Sequence, residues 1–321
     1  MLEKRITVLT PCYNEVENVE LLFKEVQQAM KTLKGITYSH LFIDNASTDG
    51  TRDKLRELAS KHKHIKVILN NRNFGHIRSP WYGLMQAQGD AVIEIVCDFQ
   101  QPPELIPVFV KHWLNGSPVV IGIRERIKGK DFLWLMRAMY YRFAKKLADV
   151  ELIEHFNGFV LYDRKVIETM RELPDMYPYS RGLVAELGFS YKRVPYMEQM
   201  RRRGISKNNF YSLYDMAILG ITSHSKIPLR LAIFIGFSVS VLSLMIGIVY
   251  FVYKLMFFER FEAGIAPLVV GLFFFGAVQL FFIGIIGEYI GSIHTQVLKR
   301  PMVVEKERIN FSREYSDYNK S

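Results

Sequence analysis

The stretch AVIEIVCDFQQPPEL, residues 91–105, puts a run of apolar residues directly before one acidic side chain. The run AVIEIV has the length and composition of a buried β-strand. Asp98 follows this strand, and Pro102 and Pro103 then stop the chain from continuing it. The stretch therefore predicts a strand that ends beside a single carboxylate.

Strand-like and helical stretches alternate from the N-terminus up to this run. The strand-like runs are RITVLT, SHLFID and IKVILN, and the helical stretches are 16–33, 51–62 and about 80–88. This alternation predicts the α/β class, with a mostly parallel sheet that carries helices on both faces. Ligands of such sheets bind at the carboxyl ends of the strands.

Each predicted strand is followed by a polar, turn-forming cluster. In chain order the clusters are PCYNE, NASTDGT, NRNFG and CDFQQPPEL. Each has a simpler interpretation as an ordinary turn, and Ser47 or Thr48 alone would serve as a helix N-cap. Their occurrence at successive strand ends favours one common ligand. Cys12 and Cys97 lack metal-ligand spacing and are predicted to be buried free thiols.

Two long stretches near the C-terminus contain no charged residue. They are 231–253 and 263–287, and each has the roughly 20 apolar residues that a membrane-spanning helix needs. The alternative is a pair of buried core helices. We predict two spans, because soluble helices seldom stay uncharged over more than about 18 residues.

Charge predicts how these spans are oriented and what the surface contacts. Basic residues flank them, Lys226 and Arg230 before the first and Lys299 and Arg300 after the second. The positive-inside rule then places both termini in the cytoplasm, and the N-terminus shows no secretory signal. The formal net charge is +10, but no nucleic-acid recognition motif accompanies it. Anionic lipid is therefore the expected partner, and nucleic acid is not.

The chain of 321 residues suits one α/β domain with an additional membrane part. We predict a cytoplasmic catalytic domain over 1–207 and an amphipathic juxtamembrane segment over 208–228. The predicted spans are 229–254 and 263–291, and a cytoplasmic tail follows over 292–321.

Six motifs in this order resemble the family 2 glycosyltransferases with the GT-A fold, within them the polyprenyl-phosphate branch. That branch includes dolichol-phosphate mannose synthases and bactoprenol glucosyltransferases. The motifs are TPCYNEVENV, IDNASTDGT, NRNFGHIRSPWYGLMQAQGDAVI, CDFQQPPEL, RRRGISK with ITSHSKIPLR, and GEYIGSIHTQVLKRP. The resemblance covers nearly the whole chain.

The resemblance implies a set of site residues. Asp98 and Gln100 would bind Mg²⁺ or Mn²⁺ on the donor diphosphate, and Asp98, Arg201 and Glu154 would act in catalysis. The implied substrate-binding residues are Pro11, Tyr13, Glu15, Asp44 at the nucleobase, Arg124, Arg126, Gly204, Ser206 and Lys207.

The chain departs from the family pattern at three places. Val96 stands where the family usually has the first of two metal-motif aspartates, and Asn45 stands where it usually has a second aspartate after Asp44. Gly158 takes the place of a carboxylate near the reacting centre, with Glu154 and His155 as the nearby ionisable residues. The reaction with a phosphate acceptor does not need the carboxylate that Gly158 replaces. The second pKa of a phosphate monoester is near 6, so the acceptor needs no base at pH 7.

The resemblance implies inverting transfer of a hexose from a nucleoside diphosphate sugar such as UDP-glucose to undecaprenyl phosphate. The reaction would take place at the cytoplasmic face of a bacterial inner membrane. Analogy with the family also implies a homo-oligomer. Two alternatives stay open: a polysaccharide synthase with a sugar hydroxyl acceptor, and a membrane protein that binds a nucleotide sugar without catalysis.

Overall fold

A computed structural model describes residues 3–125, 153, 155–173, 175, 178, 180–199, 226–257 and 265–311. Its eight strands are β1 (Lys4–Cys12), β2 (Ile36–Asp44), β3 (Ile65–Asn70), β4 (Ala91–Glu94), β5 (Val119–Arg124), β6 (Phe156–Asp163), β7 (Tyr191–Tyr196) and β8 (Glu305–Ile309).

Eight α-helices lie within the described residues. They are α1 (Val19–Lys31), α2 (Thr51–Lys61), α3 (Gly75–Gln86), α4 (Ile106–Leu114), α5 (Arg164–Arg171), α6 (Ser180–Glu186), α7 (Ile227–Met256) and α8 (Ile265–Val297). A short 3₁₀ helix, Pro103–Leu105, begins at the second proline of the opening motif and leads directly into α4.

All eight strands form one sheet in the order β7-β5-β6-β4-β1-β2-β3-β8. Strands β1 to β4 are parallel to each other, and β7 is parallel to β5. Strand β6 runs antiparallel to β4 and β5, and β8 runs antiparallel to β3. The prediction of a mostly parallel α/β sheet is confirmed.

Helices cover both faces of the sheet, because alternate residues of each strand point to opposite faces. One apolar core joins the sheet to α1, α2 and α4, and includes Val8, Leu22 and Phe109. The other joins it to α3, α5 and α6, and includes Leu9, Leu84 and Ile167. Strands buried on both faces read as continuous apolar runs, which is why RITVLT and IKVILN were recognisable.

Strand β8 is an element that the sequence analysis did not foresee within 292–321. It pairs with β3, and Arg56 on α2 contacts the Glu307 carboxylate at 2.8 Å. The Asn310 side chain donates to the backbone carbonyls of Ala59 and Ile65. The segment after α8 therefore belongs to the same sheet as the N-terminal strands.

Helices α7 and α8 are each long and apolar enough to cross a membrane. Helix α7 (Ile227–Met256) extends beyond its predicted span at both ends, and α8 (Ile265–Val297) extends beyond its predicted span at the C-terminal end. None of the residues in their most apolar windows is buried in this structure. The two helices therefore do not form a core of the sheet domain.

Candidate functional site

The polar clusters that follow the first four strands lie at one edge of the sheet. This follows from strand direction, because β1 to β4 are parallel and their carboxyl ends share an edge. Strands β5 and β7 end at the same edge and β6 begins there. Strand order reverses between β1 and β4, the place where open α/β sheets form a ligand-binding crevice. Seven predicted site residues come to this edge: Pro11, Tyr13, Glu15, Asp44, Asp98, Gln100 and Arg124.

The loops after β1 and β2 are joined by hydrogen bonds between side chains and backbone. The Ser47 hydroxyl accepts from the Asn14 N–H at 2.8 Å, and the Asn14 side chain accepts from the Thr48 N–H at 2.8 Å. The Thr51 hydroxyl accepts from the Glu15 N–H at 2.8 Å. The alternative in which Ser47 or Thr48 caps α2 is wrong, since the helix begins at Thr51 after Gly50.

Asp44, at the end of β2, has no exposed side-chain surface and forms an ion pair with Arg52 at 2.9 Å. The same carboxylate oxygen accepts from the Ser47 N–H, and Arg52 also donates to the Asn70 carbonyl at 2.7 Å. The second carboxylate oxygen of Asp44 is buried and has no hydrogen-bond partner among the described residues. Asp44 therefore links the ends of β2 and β3, and its contact with a nucleobase stays a prediction.

Asn45, one of the three departures, uses its whole amide group. Its Nδ2 donates to the Asn73 side chain at 2.9 Å and to the Gly75 carbonyl at 3.0 Å. Its Oδ1 accepts from the Phe74 N–H at 2.8 Å and the Asn70 side chain at 3.2 Å. A carboxylate at this position would have no N–H to donate. The asparagine amide therefore holds the loop after β3 in a way that an aspartate could not.

Pro11, Tyr13 and Glu15 are half-buried at the end of β1. The Glu15 carboxylate accepts from the Asn18 side chain at 2.6 Å, at the start of α1. Cys12 and Cys97 are buried free thiols, as predicted. Burial is the main cause that raises the pKa of each thiol, so both remain protonated at neutral pH.

Asp98 lies in the loop after β4, and its carboxylate accepts from the Gln100 N–H at 3.1 Å. The strand is shorter than AVIEIV and ends at Glu94, although the Ile95 N–H still donates to the Leu9 carbonyl. No group of three His, Cys, Asp or Glu side chains suited to a metal occurs among the described residues. Asp98 is thus an acidic residue with a neutral amide neighbour, Gln100, in its own loop.

The other half of the edge contains a second ion pair. Arg124, at the end of β5, contacts the Glu198 carboxylate at 2.9 Å, and its backbone N–H donates to the His155 carbonyl. The Arg124 Nε is buried without a hydrogen-bond partner in the described part of the chain. Gly158 has a φ of +98°, and a Cβ there would have no neighbour within 4 Å among the described residues. The described part of the chain therefore leaves space at the position of the missing carboxylate.

Sequence comparison identifies the family. The model of glycosyl transferase family 2 matches residues 7–171, which contain the first four loops and the end of β5. The chain belongs to glycosyl transferase family 2.

Individual relatives agree over most of their length. "Putative glycosyltransferase CsbB" of Bacillus subtilis is 34% identical over 308 residues, covering 96% of this chain and 93% of the relative. The "SfII prophage-derived bactoprenol glucosyl transferase" of Shigella flexneri is 32% identical over 309 residues, covering 94% and 98%. A Synechocystis protein, "Uncharacterized glycosyltransferase sll0501", is 32% identical over 298 residues, covering 92% and 93%. This protein is a glycosyltransferase.

Part of the predicted site of this glycosyltransferase lies outside the described residues. These predictions concern Arg126, Glu154, Arg201, Gly204, Ser206 and Lys207. The structure also brings in four residues that the sequence analysis did not select: Gln101, Asn157, Tyr196 and Glu198. Gln101 lies inside the stretch 91–105, and Asn157 directly precedes Gly158. Closeness to these positions was the one sequence signal that could have selected the two residues.

Proposed function

We propose that this glycosyltransferase transfers a hexose from a nucleoside diphosphate sugar, with UDP-glucose as the first candidate, to a polyprenyl phosphate. The reaction inverts the anomeric carbon and occurs at the cytoplasmic face of a bacterial inner membrane. The name of the Shigella flexneri relative, a bactoprenol glucosyl transferase, supports this class of substrate. The observation that carries the proposal is the way in which the chain after the second apolar helix returns to the sheet.

The second apolar helix, α8, connects to the edge of the sheet that carries the site residues. Strand β8 follows α8 in the chain and enters the sheet at that edge, and β7, the last described strand before α7, ends there. Residues 298–304 alone separate α8 from β8, so Val297 and Glu305 are at most about 28 Å apart. If α7 and α8 span a membrane, the site edge faces the bilayer surface where a lipid phosphate is presented.

The same connection supports a cytoplasmic location for both ends of the helix pair. Because β8 pairs with β3, the chain before α7 and the chain after α8 lie on one side of the membrane. The basic residues Lys226, Arg230, Lys299 and Arg300 at the outer ends of the pair favour the cytoplasmic side. A homo-oligomer remains a prediction from family analogy.

The donor atoms in the loop after β4 fit a hard divalent cation. Mg²⁺ binds through one or two carboxylates, retains water and takes further oxygens from substrate phosphates, and Mn²⁺ also accepts oxygen ligands. Asp98 and the amide oxygen of Gln100 would hold the ion together with the donor diphosphate. When bound, the cation would neutralise the charge that develops on the leaving diphosphate.

The half of the edge that contains Arg124 and Gly158 is compatible with an acceptor that attacks without a general base. Gly158 offers no carboxylate, and a phosphate monoester is already largely dianionic at pH 7. Arg124 is a candidate for contact with phosphate, since its guanidinium is held by Glu198 at the same edge. Glu154 as a base for a hydroxyl acceptor is not required by this mechanism.

The test uses the purified full chain in lipid nanodiscs with a panel of nucleotide sugars, undecaprenyl phosphate, and either Mg²⁺ or Mn²⁺. We expect a glycolipid that mild acid hydrolyses, as a lipid-linked glycosyl phosphate does, and a rate that falls with acid near pH 6. Undecaprenol without its phosphate is the matched control and should remain unmodified. An acid-stable product, or equal use of undecaprenol, would overturn the proposal.

A further inference from the structure

The loop that carries Asp98 has an unusual backbone. Phe99 has a φ of +61°, in the left-handed region that aromatic residues rarely adopt, yet its side chain is completely buried. A conformation of this kind persists only when the surrounding contacts hold it. The hydrogen bond from the Gln100 N–H to Asp98 closes one turn of the loop, but it does not involve Val96, which precedes Asp98 in the loop.

Gln101 supplies the missing contact. Its side chain has no exposed surface, and its Oε1 accepts from the Val96 N–H at 2.9 Å, which closes the loop across Asp98. Its Nε2 donates to the Asn157 side chain at 3.4 Å. An amide has one acceptor and one donor group, and Gln101 uses both, so neither a carboxylate nor an apolar side chain can replace it.

Asn157 is in turn held by Tyr196. The Tyr196 hydroxyl donates to the Asn157 side-chain oxygen at 2.8 Å, and burial is the main cause that raises the pKa of this tyrosine. The ring packs edge-on against Phe159 with centroids 5.7 Å apart. Gly122 permits this packing, because a Cβ there would lie 2.9 Å from Phe159 and 3.1 Å from Tyr196. The position of the hydroxyl is therefore set by close packing.

We propose that Gln101, Asn157 and Tyr196 are positioning residues that orient Asp98 toward the bound cation. The inference rests on the proposed function, because it assumes that the loop after β4 holds the metal of the donor complex. The family usually has a second carboxylate at the position of Val96, and here the orientation of Asp98 has to be maintained without it. The buried chain of hydrogen bonds joins the loop after β4 to β6 and β7. It therefore fixes the position of this loop relative to the other half of the crevice.

The test measures Mn²⁺ binding to the full chain in detergent in the presence of UDP, with unbound Mn²⁺ followed by electron paramagnetic resonance. Gln101→Met keeps the length of the side chain and removes both hydrogen bonds, so we expect the Mn²⁺ Kd to rise about tenfold. Tyr196→Phe removes only the hydroxyl, and we expect a rise of about threefold. Gln88→Met is the matched control, because Gln88 contacts Lys66 at the opposite edge, and its Kd should not change.

The outcomes separate positioning from stability and from the proposed function. An unchanged Mn²⁺ Kd in folded Gln101→Met, or an equal rise in Gln88→Met, overturns the proposal. If Gln101→Met does not fold, Tyr196→Phe decides, and an unchanged Kd there overturns the proposal as well. A wild-type chain that binds no Mn²⁺ with UDP also overturns it. If the wild type binds Mn²⁺ with UDP and the variants weaken that binding, but no sugar reaches undecaprenyl phosphate, the proposed function fails and the positioning role stands.

Discussion

The two halves of the carboxyl edge are held together in different ways. The loops after β1, β2 and β3 are joined by buried polar side chains, with the Asp44–Arg52 ion pair and the Asn45 amide at their centre. The loop after β4 is joined to β6 through Gln101 and Asn157, and Asn157 is joined to Tyr196 on β7.

This difference predicts which residues support stability and which support chemistry. Side chains of the first half bond to each other inside the protein, so removal of one of them leaves a buried group without its partner. Asp98 carries the carboxylate assigned to the cation, and that carboxylate accepts a hydrogen bond from the Gln100 N–H of its own loop. We therefore expect loss of stability from changes in the first half and loss of activity from changes at Asp98.

The largest effect is expected for Asp98→Ala. Transfer should fall on the order of a thousandfold, about 4 kcal/mol in transition-state stabilisation, because the variant loses the carboxylate assigned to the cation. The thermal midpoint should stay close to that of the wild type. Val96→Asp restores the carboxylate that the family usually has and should retain activity or tighten metal binding. Wild-type transfer by Asp98→Ala would refute the assignment of this residue.

Arg52→Ala should instead reduce the free energy of unfolding, by about 3 kcal/mol. The Asp44 carboxylate has no exposed surface and would lose its charged partner, which is costly for a buried ion. Arg56→Ala on the same helix is the matched control, because Arg56 pairs with the exposed Asp53 and partly exposed Glu307 and should cost about 1 kcal/mol or less. Chemical unfolding in detergent measures both, and equal losses would contradict the distinction between the halves.

Asn45→Asp should cost about 2 kcal/mol of stability and weaken donor binding. The carboxylate would face the oxygens of Asn73 and Gly75 without an N–H to donate, so the loop after β3 would move. Asn115→Asp, at the exposed end of α4, controls for the added charge. If Asn45→Asp binds UDP-glucose more tightly at unchanged stability, the amide is not what holds this loop.

Acid should destabilise the first half through His40 on β2. Burial lowers the pKa of His40 to about 3, its Nε2 lies 3.0 Å from the Thr10 hydroxyl, and its Nδ1 is buried without a partner among the described residues. The unfolded histidine takes up its proton near pH 6.5, so stability decreases as pH falls from about 6.5 toward 3. The contribution of His40 to the free energy of unfolding then changes by up to about 1.4 kcal/mol per pH unit.

Unfolding followed between pH 7 and pH 5 tests this expectation. His40→Gln should flatten the pH dependence of the free energy of unfolding. An unchanged slope in a folded His40→Gln variant would mean that other groups carry the acid sensitivity.

Much of the fold was predictable because the signals are local. Apolar runs such as IKVILN, and turn residues such as those of NASTDGT, report on their own stretch of chain. Parallel strand order then brings their ends together without further information. Strand β8 was not predictable in this way, since EKERI is short and charged and becomes a strand only through its pairing with β3.

The candidate site was predicted in part for the same reason. Asp98 and Gln100 belong to a motif that can be read locally, whereas the contact of Gln101 with Asn157 crosses 56 positions. The helix-cap alternative for Ser47 failed because α2 begins only at Thr51, and the Ser47 hydroxyl instead accepts from the Asn14 N–H of another loop. A sequence lists the donors and acceptors of a loop but not the partners that folding brings to them.

The sequence by itself determined the α/β class, the family, the two long apolar helices and the single aspartate after β4, because each follows from residue type and spacing along the chain. Only the tertiary structure decided that β8 returns to the sheet, that it enters at the edge that carries the site, and that the amides of Asn45 and Gln101 bond to distant segments. These features depend on hydrogen bonds between distant segments, and a buried polar group is satisfied by whatever the fold places within about 3 Å of it.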